Sequence, residues 1–159
     1  MSDFSHLDDW GQARMVDVGE KAVTRRLAEA SASVRTRKDV IEAIRGGQMP
    51  KGDVLAVARL AGIQAAKRTA DLIPLCHPLA LEQVVVDLQL EADQVRITSR
   101  VLCSGKTGVE MEALCAVSVA ALALIDMCKS ADRSMTIEHV RVEKKSGGKS
   151  GEFIRQEEG

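Results

Sequence analysis

Residues 109–129 read VEMEALCAVSVAALALIDMCK, and from Ala113 to Ile125 the run carries no charge. At ~1.5 Å per residue this segment predicts one helix about 32 Å long. The charge-free middle spans 13 residues, short of the ~20 that cross a bilayer. A helix that is apolar on every side must be covered on every side. It is therefore expected at the centre of a layered domain, and it asks for more cover than one sheet gives. Self-association is the simplest source of that cover.

Outward from this helix, the alternation in LEQVVVDLQLEAD sets Val84, Val86, Leu88 and Leu90 against Gln83, Val85, Asp87 and Gln89. In QVRITSRVLCS, Val95, Ile97, Ser99, Val101 and Cys103 oppose Arg96, Thr98, Arg100 and Leu102. Two strands follow from this, joined by a turn at Glu91-Ala92-Asp93. A last strand is predicted in MTIEHVRVE, with Met135, Ile137, His139, Arg141 and Glu143 on one side. Its His139 reads as structural by that parity. Residues 22–36 have no clean face, but the β-branched end Ser33-Val34-Arg35-Thr36 turns them toward a strand.

KDVIEAIR, residues 38–45, places Val40, Ile41 and Ile44 on one helical face and ends at Gly46-Gly47. Pro50-Lys51-Gly52 makes a turn, and Asp53 caps a second helix whose Val54, Val57, Ala58, Ala61 and Ala65 recur at helical spacing. That helix should fade before Pro74, which leaves DLIPLCHP, residues 71–78, as a stiff extended connector. Merging the two short helices gives β-α-β-β-α-β. The expected class is therefore α+β, ferredoxin-like, with helices packed on one face of an antiparallel sheet.

Composition narrows the functions. The chain has 159 residues, 45% apolar and 28% charged, with a formal charge of −1, as in one soluble domain. Trp10, Phe4 and Phe153 are its only aromatics, so no stacking platform for nucleic-acid bases exists. Residues 141–149, RVEKKSGGK, carry four basic groups and one glutamate, which suits a small anionic ligand. The four cysteines Cys76, Cys103, Cys115 and Cys128 lack metal-ligand spacing. They read as reduced, mostly buried thiols of a cytoplasmic protein.

Several positions could carry chemistry. The tetrads Gly105-Lys106-Thr107-Gly108 and Gly148-Lys149-Ser150-Gly151 resemble the end of a P-loop, but Arg100 and Glu143 stand where its first glycine belongs. Gly108 precedes the long helix, so its amides could hold an anion with help from Lys106, or Thr107 could simply cap the helix. Glu110 and Glu112 lie about 200° apart around the axis. Asp126 and Lys129, three apart, are either a surface ion pair or an aspartate that holds and tunes a lysine. Glu112 and Asp126 face the same way about 21 Å apart. Either only one belongs to the site or a neighbouring copy brings its helix alongside. His77 is clamped between Pro74 and Pro78 on a loop, where functional residues concentrate. His6 sits in a polar terminus and is set aside.

Together, MVDVGEKAVTRR, KGDVLAVARLAGIQAAKRTADLIPLCHPL, SGKTGVEMEAL, DMCK and KSGGKSGEF closely resemble the cyclic pyranopterin monophosphate synthase (MoaC) family of molybdenum cofactor biosynthesis. The resemblance runs from about Met15 to Phe153. It implies a ferredoxin-like fold, a hexamer built from three dimers and active sites between subunits. It further implies conversion of a cyclised guanosine triphosphate to cyclic pyranopterin monophosphate with loss of diphosphate. Motif by motif it carries Asp126, Lys129 and Lys51 over as catalytic residues. Leu75, Cys76, His77, Glu110, Met111 and Glu112 carry over as substrate contacts, and Lys67, Arg68, Lys145 and Lys149 could supply charge for a triphosphate. No cofactor, metal, nucleic acid or membrane is implied. Residues 1–14 then read as a flexible N-terminal segment, 15–153 as a single catalytic domain and 154–159 as a flexible tail. The competing class is a non-catalytic nucleotide-binding regulatory module. The Asp126–Lys129 pair separates the two, because an effector site has no need of it.

Overall fold

Strand β1 (Thr24–Arg35) is the axis of the sheet. Its inward face is Thr24, Arg26, Ala28, Ala30, Ala32 and Val34, and the last four are buried. Small side chains there let a helix lie close to the strand. The computed structural model describes residues 6–8 and 10–156. After β1 come α1 (Lys38–Arg45), α2 (Val54–Lys67), a single turn α3 (Thr69–Leu72) and the hairpin β2 (Gln83–Leu90) and β3 (Gln94–Gly105). The long helix α4 (Glu110–Cys128), β4 (Thr136–Ser146) and a two-residue β5 (Phe153–Ile154) complete the chain. The sheet order is β2-β3-β1-β4-β5, antiparallel throughout. Its first four strands have the expected ferredoxin-like arrangement, with the helices on one face.

Helix α4 covers β1, β3 and β4, and α2 runs beside it over β2. Ala113, Ala116, Val117, Ala120, Ala121 and Leu124 form the buried side of α4. Ser99 of β3 donates to the Ala113 carbonyl at 2.8 Å, so a buried hydroxyl pins the first turns of α4 to the sheet. With the turns that flank its charge-free middle included, α4 reaches the length and apolarity of a membrane span; here it is packed as the core helix. Its outward side keeps Leu122 57% exposed, and α2 leaves Leu60 67% exposed.

The observed buried face of α2 is Val54, Ala58, Gly62, Ala65 and Ala66, while Val57 points outward. Gly62 is the reason. A Cβ there would stand 2.7 Å from the Ala116 carbonyl oxygen and 3.1 Å from the Ala120 Cβ. The two helices therefore meet backbone to backbone, and the contact line follows the glycine instead of the larger Val57.

Three local expectations need correction. DLIPLCHP is extended only in its second half, because Asp71 and Leu72 belong to α3 and the Cys76 amide closes a turn onto the Ile73 carbonyl at 3.1 Å. Thr107 does not cap α4; Val109 occupies the N-cap with no side-chain bond. The alternation of β4 breaks at two register shifts against β1. His139 stands at one of them with φ 55° and is exposed, so it does not share a side with Met135 and Ile137. Of the polar ends, residues 1–5, 9 and 157–159 lie outside the described residues, Phe4 among them.

Gly62→Ala should destabilise the fold by ~1–3 kcal/mol through overpacking, although alanine is the better helix former. Denaturant unfolding followed by circular dichroism measures this. An unchanged or higher midpoint would mean that α2 can retreat from α4 without loss.

Candidate active site

Two separate groups of candidate site residues flank α4. At its C-terminal end, Asp126 accepts from Lys129 Nζ through Oδ1 at 2.7 Å and from Lys51 Nζ through Oδ2 at 3.1 Å. Lys51 also donates to the Asp126 carbonyl at 2.9 Å. Lys51 reaches this point from the turn before α2, where Gly52 adopts φ +94° and buried Met49 anchors the loop. The last turn of a helix disfavours a carboxylate, and the two ammonium groups reverse that. Lys129 first, then Lys51, hold the Asp126 carboxyl below its ordinary range. All three side chains remain open to solvent. An anionic acceptor flanked by two cations at one exposed point is suited to moving protons on a bound ligand.

The other end of α4 borders a cleft in two parts. The first, about 290 Å³, is lined by Leu75, Cys76, His77, Glu110, Met111 and Glu112 together with His6, Val16 and Lys21. The second, about 740 Å³, is lined by Lys21, Thr24, Arg26, Lys106 and Lys149 among others. Lys21, Thr107 and Gly108 border both, so the two are continuous. Glu110 and Glu112, expected to face apart, both reach the first part because it wraps the helix end. Glu112 is only 4% exposed. Burial raises its carboxyl above the ordinary range, with Glu110 adding repulsion. A carboxyl so placed keeps its proton more readily and can donate to a ring acceptor. Burial likewise raises the Cys76 thiol and pushes Cys128 up to about 11, which disfavours the thiolate in both.

The second part is cationic. Thr24 Oγ1 and Arg26 Nε are buried without a protein hydrogen-bond partner, while Arg26 Nη2 donates to the Lys106 carbonyl at 3.3 Å. Gly148, at φ +77°, lies so close to Arg26 that any Cβ would overlap the guanidinium. The glycine loop thus folds directly onto the arginine. Lys145 bonds to Ser150 and stands 4.0 Å from Glu110. Lys67 and Arg68 lie apart from this cleft, around a small cavity on the other side of Glu112 with Asp71 and Pro78.

His77 Nε2 meets the Val16 carbonyl at 2.7 Å, and Lys106 Nζ donates to the Gly19 carbonyl at 2.6 Å. Residues 16–21 therefore form a wall of the cleft. On sequence alone Lys21, Thr24 and Arg26 are missed, and His6, set aside, lines the cavity. The available signal is parity: Arg26 shares the inward face of β1 with four buried residues. Lys51, Asp126 and Lys129 come together as one cluster, and the Leu75–His77 and Glu110–Glu112 segments as another. The two clusters stand at opposite ends of one helix.

A ferredoxin-like α+β domain with a lysine–aspartate–lysine cluster at one end of its core helix and a cationic cleft at the other has the parts of an enzyme for small anionic substrates. The chain belongs to the MoaC family, which it matches over residues 15–148. It is 60% identical over 151 residues to a cyclic pyranopterin monophosphate synthase of Streptomyces griseus, covering 95% of this chain and 85% of that one. A protein of the same name from Herpetosiphon aurantiacus is 58% identical over 151 residues, 94% of this chain and 92% of its own. A third, from Roseiflexus, is 58% identical over 156 residues, 97% and 99% of the two chains.

Removing either cation should let the Asp126 carboxyl titrate at higher pH. In Lys129→Met the midpoint, read by carboxyl carbon NMR, should rise more than in Lys51→Met, since Lys129 is the larger cause. An unmoved midpoint in both variants would disprove the coupling.

Proposed function

We propose that this chain is a lyase of molybdenum cofactor biosynthesis that converts (8S)-3′,8-cyclo-7,8-dihydroguanosine 5′-triphosphate to cyclic pyranopterin monophosphate and releases diphosphate. The observation that carries the proposal is the Lys51–Asp126–Lys129 cluster, on a chain 56–60% identical to proteins that bear the synthase name. Ring opening and closure of a cyclic phosphate are proton transfers joined to phosphate displacement, so they call for a positioned acid/base pair and anion stabilisation.

Lys129, oriented by Asp126, moves the proton at the sugar–pterin centre, and Lys51 acts as the second acid/base group or orients the phosphate. His77 and Glu112 hold the purine-derived ring, with Leu75, Cys76 and Met111 as its walls. Lys21, Arg26, Lys106 and Lys149 take the phosphates, supported by Lys145. Lys67 and Arg68 add positive potential behind Glu112. The catalytic domain is residues 15–153, acting in the cytoplasm.

Within one copy the two clusters are about 21 Å apart along α4, too far for one nucleotide to touch both. The proposal therefore has a second copy bring its Asp126 end to the first copy's cleft, in a hexamer of three dimers. The outward leucines, Leu60 and Leu122, are the kind of surface such contact covers.

Asp126→Asn and Lys129→Ala should each lower kcat by a factor on the order of 10²–10⁴, with product formation from the cyclised triphosphate followed by mass spectrometry. Near wild-type turnover in both refutes the assignment. Arg26→Lys should raise KM roughly tenfold or more, as expected when a hydrogen bond to a charged group worth ~1.5–3 kcal/mol is lost, with kcat less affected. An unchanged KM takes Arg26 out of the phosphate site.

A further inference from the structure

Asp132 lies three residues beyond Lys129 and is only 3% exposed. Its carboxylate is fully engaged. Oδ1 accepts from the Ser134 amide at 2.8 Å and from Ser134 Oγ at 2.6 Å. Oδ2 accepts from Thr36 Oγ1 at 2.9 Å and, more weakly, from the Arg37 amide at 3.4 Å. The Asp132 amide itself donates to the Cys128 carbonyl at 3.2 Å, and the Ala131 amide to the same carbonyl at 2.8 Å. One buried side chain thus fastens the exit turn of α4 to the residues that start α1.

The first of these segments carries Lys129, and the second leads through α1 to Lys51. The exit turn of α4 begins at Lys129. Arg37 is the N-cap of α1, and its amide donates to Asp132 Oδ2. From α1 the chain passes Gly46, Gly47 and buried Met49 directly to Lys51. Lys51 and Lys129 are 78 residues apart in sequence, and both must reach the two oxygens of Asp126. Nothing in either flexible side chain sets that spacing. The backbone beneath them must, and Asp132 is the buried polar link between the two stretches of backbone.

We propose that Asp132 is a positioning residue for the reaction: it holds the α4 exit turn against the start of α1 so that Lys51 and Lys129 converge on Asp126. The inference rests on the acid/base role given above to that cluster. A carboxylate is suited to the task because its two oxygens take four donors from both segments at once. Being buried, it is also costly to leave half-satisfied, so the link closes in one geometry. Misplacing a reacting group by about 1 Å costs a factor on the order of 10², so a loosened link should show in turnover before it shows in binding.

The test uses the full-length enzyme and four variants. Thr36→Val removes the stronger of the two α1-side bonds to Asp132 and leaves the Arg37 amide, and Asp132→Asn removes one acceptor and the charge. Thr36→Ser keeps the hydroxyl, and Asp126→Asn probes the cluster itself. The expected result is a kcat about tenfold or more below wild type in Thr36→Val and Asp132→Asn, with KM within about twofold and Thr36→Ser close to wild type. Thermal melts select the temperature at which every variant is folded. If Asp126→Asn is inactive while Thr36→Val and Asp132→Asn turn over like wild type, the positioning role is overturned and the cluster's role stands. The positioning role is equally overturned if their loss lies in KM or in the folded fraction, or if Thr36→Ser fails to restore turnover. If Asp126→Asn is itself fully active, the cluster's role fails first and the positioning role goes with it. Asp132→Asn failing to fold leaves Thr36→Val and Thr36→Ser to decide.

Discussion

The structure depends on how closely α4 approaches its neighbours. Ala28, Ala30 and Ala32 on β1, Gly62 on α2 and Ala116 and Ala120 on α4 remove the side-chain layer that normally separates a helix from what it packs on. Close approach gives many short dispersion contacts per unit length and very little tolerance for added volume. That stiffness fixes both ends of α4. One end can then carry a carboxylate against the local dipole, and the other can bury Glu112.

The two ends use charge in opposite ways. At Asp126 everything is exposed, the ions are paired, and the arrangement is held by segments beneath it. In the cleft the Arg26 Nε and the Thr24 hydroxyl are buried without a protein partner, Arg26 Nη2 is held by the Lys106 carbonyl, and a glycine loop closes over the guanidinium. The first arrangement can exchange protons with a ligand because water reaches it. The second gathers its cations on a strand and a tight glycine loop, so their positions are set by backbone.

How far the amino-acid order reveals this differs by element. The charge-free run in α4 is legible because 13 residues pass without a charge, and β2 and β3 because branched apolar residues recur at every second position. β1 is hard to read because its buried face is mostly alanine, while the opposite parity holds Leu27 and charged residues that look equally significant. Arg26 escapes for the same reason, since an arginine on a strand reads as surface. The i, i+3 pair Asp126–Lys129 is visible from helical spacing, but its third member Lys51 lies 75 residues earlier. Family resemblance names Lys51; spacing does not. The bulges of β4 carry no glycine at His139 to announce them. They follow from pairing with β1, a tertiary constraint.

Those bulges have an effect at the border of the molecule. Strand β4 would offer a long free edge, since β5 pairs with only Lys144 and Lys145. An extra residue at each irregularity kinks that border and takes its amides out of line, and His139 and Glu138 put ionisable groups alongside. A straight border invites endless stacking of chains into fibrils. This one is too crooked to serve as a template, so copies of the chain can crowd together without polymerising strand on strand.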